Sequence, residues 1–517
     1  MFYKNLIGNK KINFKQYKCP SITNGWAVDQ DEKSLPYGSC ACSYNFDESS
    51  GVLKDNFGIS VLQTHHTEYT HREDDLKTFT DDLLPTLAFR VFFTTIRYYQ
   101  SETNFIRLML VVDEDCHLKS YRMNSMTINP VTVSSIELDN VKRMNKLRIN
   151  GVDNLVFTGP QKSYAYIPII STYVKELDNS LQLVDIVTYN NRSFANSSLY
   201  KNMIFYSEEF NPLNFDINND ESGRIVFEDT LGDCTRVMIF KNKLYVIRQF
   251  GISKIVKGKD KKEFETENMC VVSDAIAFNS AVICGDKMIF ATGGGIYEFD
   301  GNKATRIVTG LESRLKNKKQ YGDLAAYNQG KYYLCCKLDF GDDEYFKVEN
   351  YTANHNCIII MDVDTHKYSL VRGVEITDFA NLKDISNQDI LAVVYSTFQT
   401  YRVAMVTDSG AIYNAPKLKK CWESTESDFG YPDRCKFIKD IKISTVKDIT
   451  LRLTFDGKSK DISVIGKSTM QSIKINRKVK RFKFKIIAME AGNEITLPVV
   501  TAGVLWWKIW MILVKIY

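Results

Sequence analysis

Proline and glycine are scarce, 10 and 27 in 517 residues, and neither falls at a short period, which excludes a collagen-like or low-complexity chain. Disorder is excluded as well, because 44% of the residues are hydrophobic and 12% aromatic, ample material for a large core. An excess of one charge sign is missing: Lys plus Arg is 67 and Asp plus Glu 62, leaving +5. The chain as a whole therefore makes no electrostatic case for nucleic acid, and any basic surface must be local. Residues 1–25 lack the uninterrupted apolar block of a secretory signal, which predicts synthesis and folding in the cytoplasm. The twelve cysteines are scattered, with Cys284, Cys335 and Cys336 inside apolar runs, so a disulfide framework is not expected. The apolar C-terminus, ITLPVVTAGVLWWKIWMILVKIY, is interrupted by Pro498, Lys508 and Lys515. Charge near the centre of a spanning helix is costly, so this segment reads as strand and no membrane partner is expected.

Apolar residues at three-four spacing are also nearly absent, and β-branched and aromatic residues dominate the apolar set. What is present is a succession of short apolar runs, among them RLMLVV (107–112), NLVF (154–157), NMIFY (202–206), KLYVI (243–247), KMIFA (287–291), KYYLCC (331–336) and CIIIM (357–361), parted by Gly, Asp and Asn turns. The chain is all-β. In KLYVIRQFGISKI and KMIFATGGGIYEF, Lys243 and Lys287 open one strand, and Gly251 and Gly295 turn it into the next. The offset is 44 residues at both ends, and Lys331 opens a third copy at the same distance. Looser copies stand at Asn202 and Asn154, with further ones at Ile106 and Phe57 and a diverged one in 389–413. A period of about 40–50 residues is that of a four-stranded propeller blade. The pattern predicts a β-propeller of six to eight four-stranded blades over residues 1–415, with 1–100 the least regular part. A pair of β-sandwiches with a fortuitous period is the alternative.

Beyond about 415 the phase is lost. DIKISTV, DITLRLTF, DISVIG and SIKINRKVKRFKFKIIAM read as antiparallel hairpins of a separate C-terminal β-domain, 416–517.

Signals for chemistry are poor. GKST (466–469) and GKS (457–459) lack the glycine of a phosphate loop, having Asp461 and Arg452 in its place, and read as hairpin turns. DINNDESG (216–223) opens like a calcium loop, but Glu221 replaces the sharp-turn glycine and Phe227 the bidentate Glu. His65, His66 and His71 form the one histidine cluster, with no sign of convergence, and Cys40 and Cys42 lack zinc-site spacing. VTDSGAIY (406–413) is close to the Asp-box turn of sialidase-like propellers, a structural element. No nucleophile elbow appears. Neither an enzyme, a metal nor a cofactor is expected.

The run FYSEEFNPLNFDINNDESGRIVFEDTLGDCTRVMIFKNKLYVIRQFGISKI (205–255) resembles the blade signature of tailed-phage virion propellers, the group that includes packaged-DNA stabilisation and tail accessory proteins of short-tailed phages. CWESTESDFGYPDRCKFIKDIKI (421–443), with its Trp-x-Ser strand, Asp428-Phe429-Gly430, Pro432 and Lys436, resembles the start of the β-domain that follows the propeller in such proteins, and RFKFKIIAMEAGNEI (481–495) resembles their terminal strands. The resemblance implies a structural virion protein made in the bacterial host cytoplasm. It would form a ring with copies of itself at the head-to-tail junction or tail, joining portal, adaptor or tail proteins and holding packaged DNA. The alternative is a Kelch-like or sialidase-like carbohydrate-binding propeller, or a glycosidase.

Two segments are candidate contact sites. In INRKVKRFKFK, alternation places Arg481, Lys483 and Lys485 on one strand face, where they could meet DNA phosphates, and Phe482 and Phe484 in the core. In LWWKIWMILVKIY, Trp506, Trp507 and Trp510 need cover, either as a closing strand or as an interface.

Overall fold

The computed structural model describes residues 13–18, 40–48, 50–60, 90–97, 105–112, 116–123, 128–131, 138, 141, 143–149, 151–159, 162–167, 174–218, 220–257, 263–277, 279–308, 311, 324–338, 355–383, 389–397, 400–412 and 417–504. Every regular element among them is a β-strand, and none is a helix long and apolar enough to cross a membrane. Four short strands come first: β1 (Phe14–Lys18), β2 (Cys40–Tyr44), β3 (Val52–Leu53) and β4 (Gly58–Ser60).

Seven four-stranded sheets follow among the described residues. Blade 1 is β5–β8 (Arg90–Arg97, Phe105–Val112, Leu118–Met123, Ile128–Val131), and blade 2 is β9–β12 (Arg143–Ile149, Val152–Thr158, Lys162–Tyr166, Val174–Asp178). Blade 3 is β13–β16 (Leu183–Tyr189, Arg192–Ser197, Met203–Tyr206, Gly223–Val226), and blade 4 is β17–β20 (Cys234–Phe240, Lys243–Arg248, Gly251–Lys257, Phe264–Val271). Blade 5 is β21–β24 (Val282–Cys284, Lys287–Thr292, Gly295–Phe299, Ala304–Arg306), and blade 6 is β25–β28 (Leu324–Asn328, Lys331–Cys336, Cys357–Asp362, Tyr368–Val371). Blade 7 is β29–β31 (Glu375–Lys383, Asp389–Thr397, Thr400–Thr407), with β4 as its fourth strand. The first strand of blade 7, β29, lies beside the first strand of blade 1, β5, so the ring closes. The protein contains a seven-bladed β-propeller.

Its core lies between blades, because a sheet with two apolar faces buries them only by stacking on its neighbours. Leu108, Leu110, Leu155 and Phe157 fill the space between blades 1 and 2, and Val156, Ile186, Ala195 and Phe205 the next. Phe194, Val237, Leu244 and Val246 pack between blades 3 and 4, and Phe240, Tyr245, Met288 and Phe290 between blades 4 and 5. The repeat holds where it was strict. Lys243, Lys287 and Lys331 each begin the second strand of a blade, and Gly251 and Gly295 each begin the third.

Of the looser copies, those at Asn154, Ile106 and 389–413 fall on the second strands of blades 2, 1 and 7, and those at Asn202 and Phe57 do not. NMIFY is the third strand of blade 3, not its second; the second is RSFANS, Arg192–Ser197, polar in sequence yet wholly buried. Its polar groups are bonded: Ser193 N donates to Ser207 Oγ (2.8 Å), Asn196 Nδ2 donates to the Thr235 carbonyl (2.9 Å), and Ser197 Oγ donates to the Leu181 carbonyl (2.6 Å). The segment at Phe57 likewise opens no blade but leads into β4.

The C-terminal strands are β32 (Lys420–Ser424), β33 (Lys436–Thr445), β34 (Ile449–Phe455), β35 (Lys458–Val464), β36 (Lys467–Val479), β37 (Phe482–Ala488), β38 (Ile495–Thr496) and β39 (Val499–Val504). They do not form a domain by themselves. β1, β39, β33, β38 and β3 form a sheet in that order, with β36 also paired to β33, while β2, β32, β37, β34 and β35 form a second. Accordingly the chain divides into one unit of Met1–Gly58, Lys367–Arg372 and Asp408–Tyr517 and another of Ile59–His366 and Gly373–Thr407, which places β1, β2 and β3 with the C-terminal strands rather than in the propeller. The reason is pairing: N-terminal strands too short to show a periodic pattern complete both sheets. Trp422, Leu453, Phe482 and Phe484 of one sheet and Ile438, Ile441, Ile443 and Val500 of the other are buried. The Phe429 ring stacks on Phe482 at 6.2 Å and meets Tyr17 edge-on at 4.8 Å. Asp55 forms a buried ion pair with Lys420 and accepts a hydrogen bond from Gly492 N (2.7 Å).

Candidate functional site

A cavity of about 740 Å³ runs among the first strands of the propeller blades. Phe92 of blade 1, Arg143 of blade 2, Asp185 of blade 3, Arg236 of blade 4, Leu324 of blade 6 and Asp378 of blade 7 all reach it. A first strand turns alternate residues toward the axis, and Arg143 at the start of RMNKLRI, Asp185 in LVDIVTY and Arg236 in CTRVMIF line the cavity. There Arg143 Nη1 lies 2.7 Å from Asp185 Oδ1, and Arg236 Nε lies 3.4 Å from Asp185 Oδ2. One carboxylate, whose side chain is 6% exposed, thus sits between guanidiniums that are 16% and 21% exposed. Arg236 Nη1 also donates to the Ala281 carbonyl (2.7 Å), just before blade 5.

Neutral groups repeat the theme. Asn145 of blade 2 donates to the Val184 carbonyl (3.1 Å) and accepts from Ile186 N (3.2 Å), and Asn196 of blade 3 accepts from Asp185 N (2.9 Å) while donating to Thr235 of blade 4. Tyr332 of blade 6 donates to the Ser280 carbonyl (2.7 Å). These side chains tie one blade to the next.

No protein-family model and no curated protein sequence matches the chain. Among solved structures, a crystal structure of BBS1N in complex with ARL6DN is similar at 10% identity with a TM-score of 0.39, over 64% of this chain and 95% of that one.

The sequence-derived candidates lie elsewhere. β37 alternates as expected, with Phe482, Phe484, Ile486 and Ala488 buried and Lys483 and Lys485 on the opposite face. Those cations are matched: Lys483 Nζ is 2.8 Å and Lys485 Nζ 3.1 Å from Glu423, and Arg481 Nη1 is 3.3 Å from Glu426. Burial alone would raise the Glu423 carboxyl, but Lys483 and Lys485 outweigh it and hold the carboxyl below its ordinary value. Burial would likewise lower the Lys485 ammonium, and its acidic neighbours, Glu423 among them, raise it instead. Trp506, Trp507 and Trp510 lie outside the described residues, as do His65, His66 and His71.

The remaining motifs are structural. Asp456 and Gly457, both at positive φ, turn β34 into β35, and Gly466 N donates to Asp448 Oδ1 (2.7 Å) ahead of β36. In the 216–223 loop, Asp216 caps its own turn by accepting from Asn218 N (2.9 Å). No three metal-ligating side chains converge among the described residues. Sequence reading missed the Arg143, Asp185 and Arg236 group because its members stand in three different repeats. The available signal was a lone charge within two successive first strands, Asp185 in LVDIVTY and Arg236 in CTRVMIF.

Proposed function

We propose that this protein is a structural, non-enzymatic virion component of a tailed bacteriophage, made in the host cytoplasm and forming a ring at the head-to-tail junction or in the tail. The observation that carries the reading is how the chain is closed. β1 pairs with β39 in register from Phe14 opposite Gly503 to Lys18 opposite Val499, and β4 supplies the last strand of the last blade. Neither unit can be peeled open from one end without breaking a sheet that the distant part of the chain completes, a property suited to a subunit under mechanical load. The motifs that resemble phage propellers support the same reading by where they fall. Trp422 stacks on Phe484 at 5.3 Å, and the Asp428–Cys435 turn wraps the buried Lys436, whose ammonium donates to the Tyr431 (2.9 Å) and Arg434 (3.0 Å) carbonyls. They specify scaffold.

Mass photometry of the purified full chain, alone and with virion particles, tests the proposal. A discrete ring or co-sedimentation with particles is expected. A monomer that ignores particles and binds or cleaves glycans would establish the carbohydrate-binding alternative.

A further inference from the structure

We propose that the outer face of the six-stranded sheet is a platform for single-stranded nucleic acid. The inference is independent of the assembly reading and rests on register. Across β36, β33, β39 and β1, Lys478 stands opposite Phe437, then Gly503, then Phe14; the next row is Lys474, Asp440, Thr501 and Gln16; the third is Ser472, Lys442, Val499 and Lys18. Ile438, Ile441 and Ile443 of β33 turn to the opposite side and are buried, so these rows share the other face, exposed along β36 and β1 and covered at Thr501. Lys439, at the register shift in β33, places its ammonium 5.5 Å from the centre of the Phe14 ring. Phe14 is 40% exposed and meets Phe437 edge-on at 6.3 Å.

Five lysines, Lys18, Lys439, Lys442, Lys474 and Lys478, therefore surround two phenylalanines, with Asp440 as the carboxylate among them. Among the described residues Lys439, Lys442 and Lys474 form no ion pair, unlike Lys483 and Lys485 on the other sheet. Strands about 4.8 Å apart and same-face residues about 6.8 Å apart give a face about 15 Å wide with cations on both flanks. The charge fits a polyphosphate backbone. A protein partner fits less well, since lysine is depleted from protein interfaces and the face has no aliphatic cluster. The exposed Phe14 ring decides for a single strand, because unpaired bases stack on aromatic side chains displayed by a sheet, whereas a duplex hides its base faces.

Fluorescence anisotropy of a labelled 20-nucleotide oligothymidylate with the purified full chain tests this. Binding should weaken with salt at a log–log slope of about −3, as four neutralised phosphates on a single strand require, which is roughly 50-fold between 50 and 200 mM NaCl. K442E/K474E should lose at least about tenfold in affinity. Phe14→Leu, which keeps apolar packing and removes the ring, should lose about tenfold. Melting curves like that of the parent establish that each variant is folded. The proposal fails if no salt-dependent binding is seen, if folded K442E/K474E binds like the parent, if K483E/K485E is the more damaging pair, or if polyglutamate competes as well as the oligonucleotide. It also fails if a duplex of equal length binds as tightly while Phe14→Leu is silent.

Discussion

Asp185 shows what a buried charge does in this molecule. It forms ion pairs with guanidiniums of the blades on either side, so Arg143, Asp185 and Arg236 span three blades with one carboxylate. Removing one partner from a buried group leaves uncompensated charge, which costs more than the pair contributes. Asp185→Ala is therefore expected to destabilise the propeller by about 3 kcal/mol, read from chemical denaturation, and Asp185→Asn by less because it retains an acceptor. His355 works differently. Its Nε2 accepts from Ile376 N at 3.1 Å, and burial pushes its pKa down to about 4. The unfolded chain, with the histidine near its ordinary value of 6.5, then binds the extra proton first. Stability is present in full above pH 6.5 and falls as pH drops toward 4, by up to about 3 kcal/mol from this residue. Denaturation at a series of pH values should show that slope in the parent and a shallower one in His355→Gln.

At the scale of the strand, the sequence was legible where a blade kept apolar runs and tight turns in phase. Blades 4, 5 and 6 appear at Lys243, Lys287 and Lys331 because their second strands are buried on both faces and hence continuously apolar. Blade 3 was misread because RSFANS satisfies its burial by hydrogen bonds, and composition does not reveal that a serine has a partner. The axial group was illegible for a related reason, since isolated charges acquire meaning only once three blades face each other. Equivalent positions also differ in ways the repeat conceals. A Cβ on Gly251 would meet the Cys270 backbone carbonyl, whereas one on Gly295, at φ 141°, would meet the Arg306 side chain at 2.9 Å. Gly251→Ala has to displace the edge strand β20 and is expected to cost about 1–3 kcal/mol. Gly251→Ser should do no better, because the obstacle is the Cβ itself. The two melting curves check this.

For the whole molecule, four short strands from the first 60 residues complete sheets made by distant parts of the chain. β1, β2 and β3 complete the two C-terminal sheets, and β4 completes blade 7. Deleting residues 1–60 should therefore abolish cooperative unfolding and leave soluble aggregates, and a peptide of residues 1–60 added during refolding should restore part of the melting transition. A deletion variant that melts like the parent would mean those strands add nothing to either sheet.

The same closure sets a timetable. At about 5–20 residues per second, a ribosome needs roughly half a minute to a minute and a half to go from β1 at Phe14–Lys18 to its partner β39 at Val499–Val504. For that interval β1 has no mate and the C-terminal sheets cannot close. β4 likewise waits for blade 7 while six earlier blades can already stack on one another. The nascent chain thus carries unpaired edges until β39 has been made, and those edges, rather than any single contact, mark the period in which chaperones and neighbouring copies have access to it.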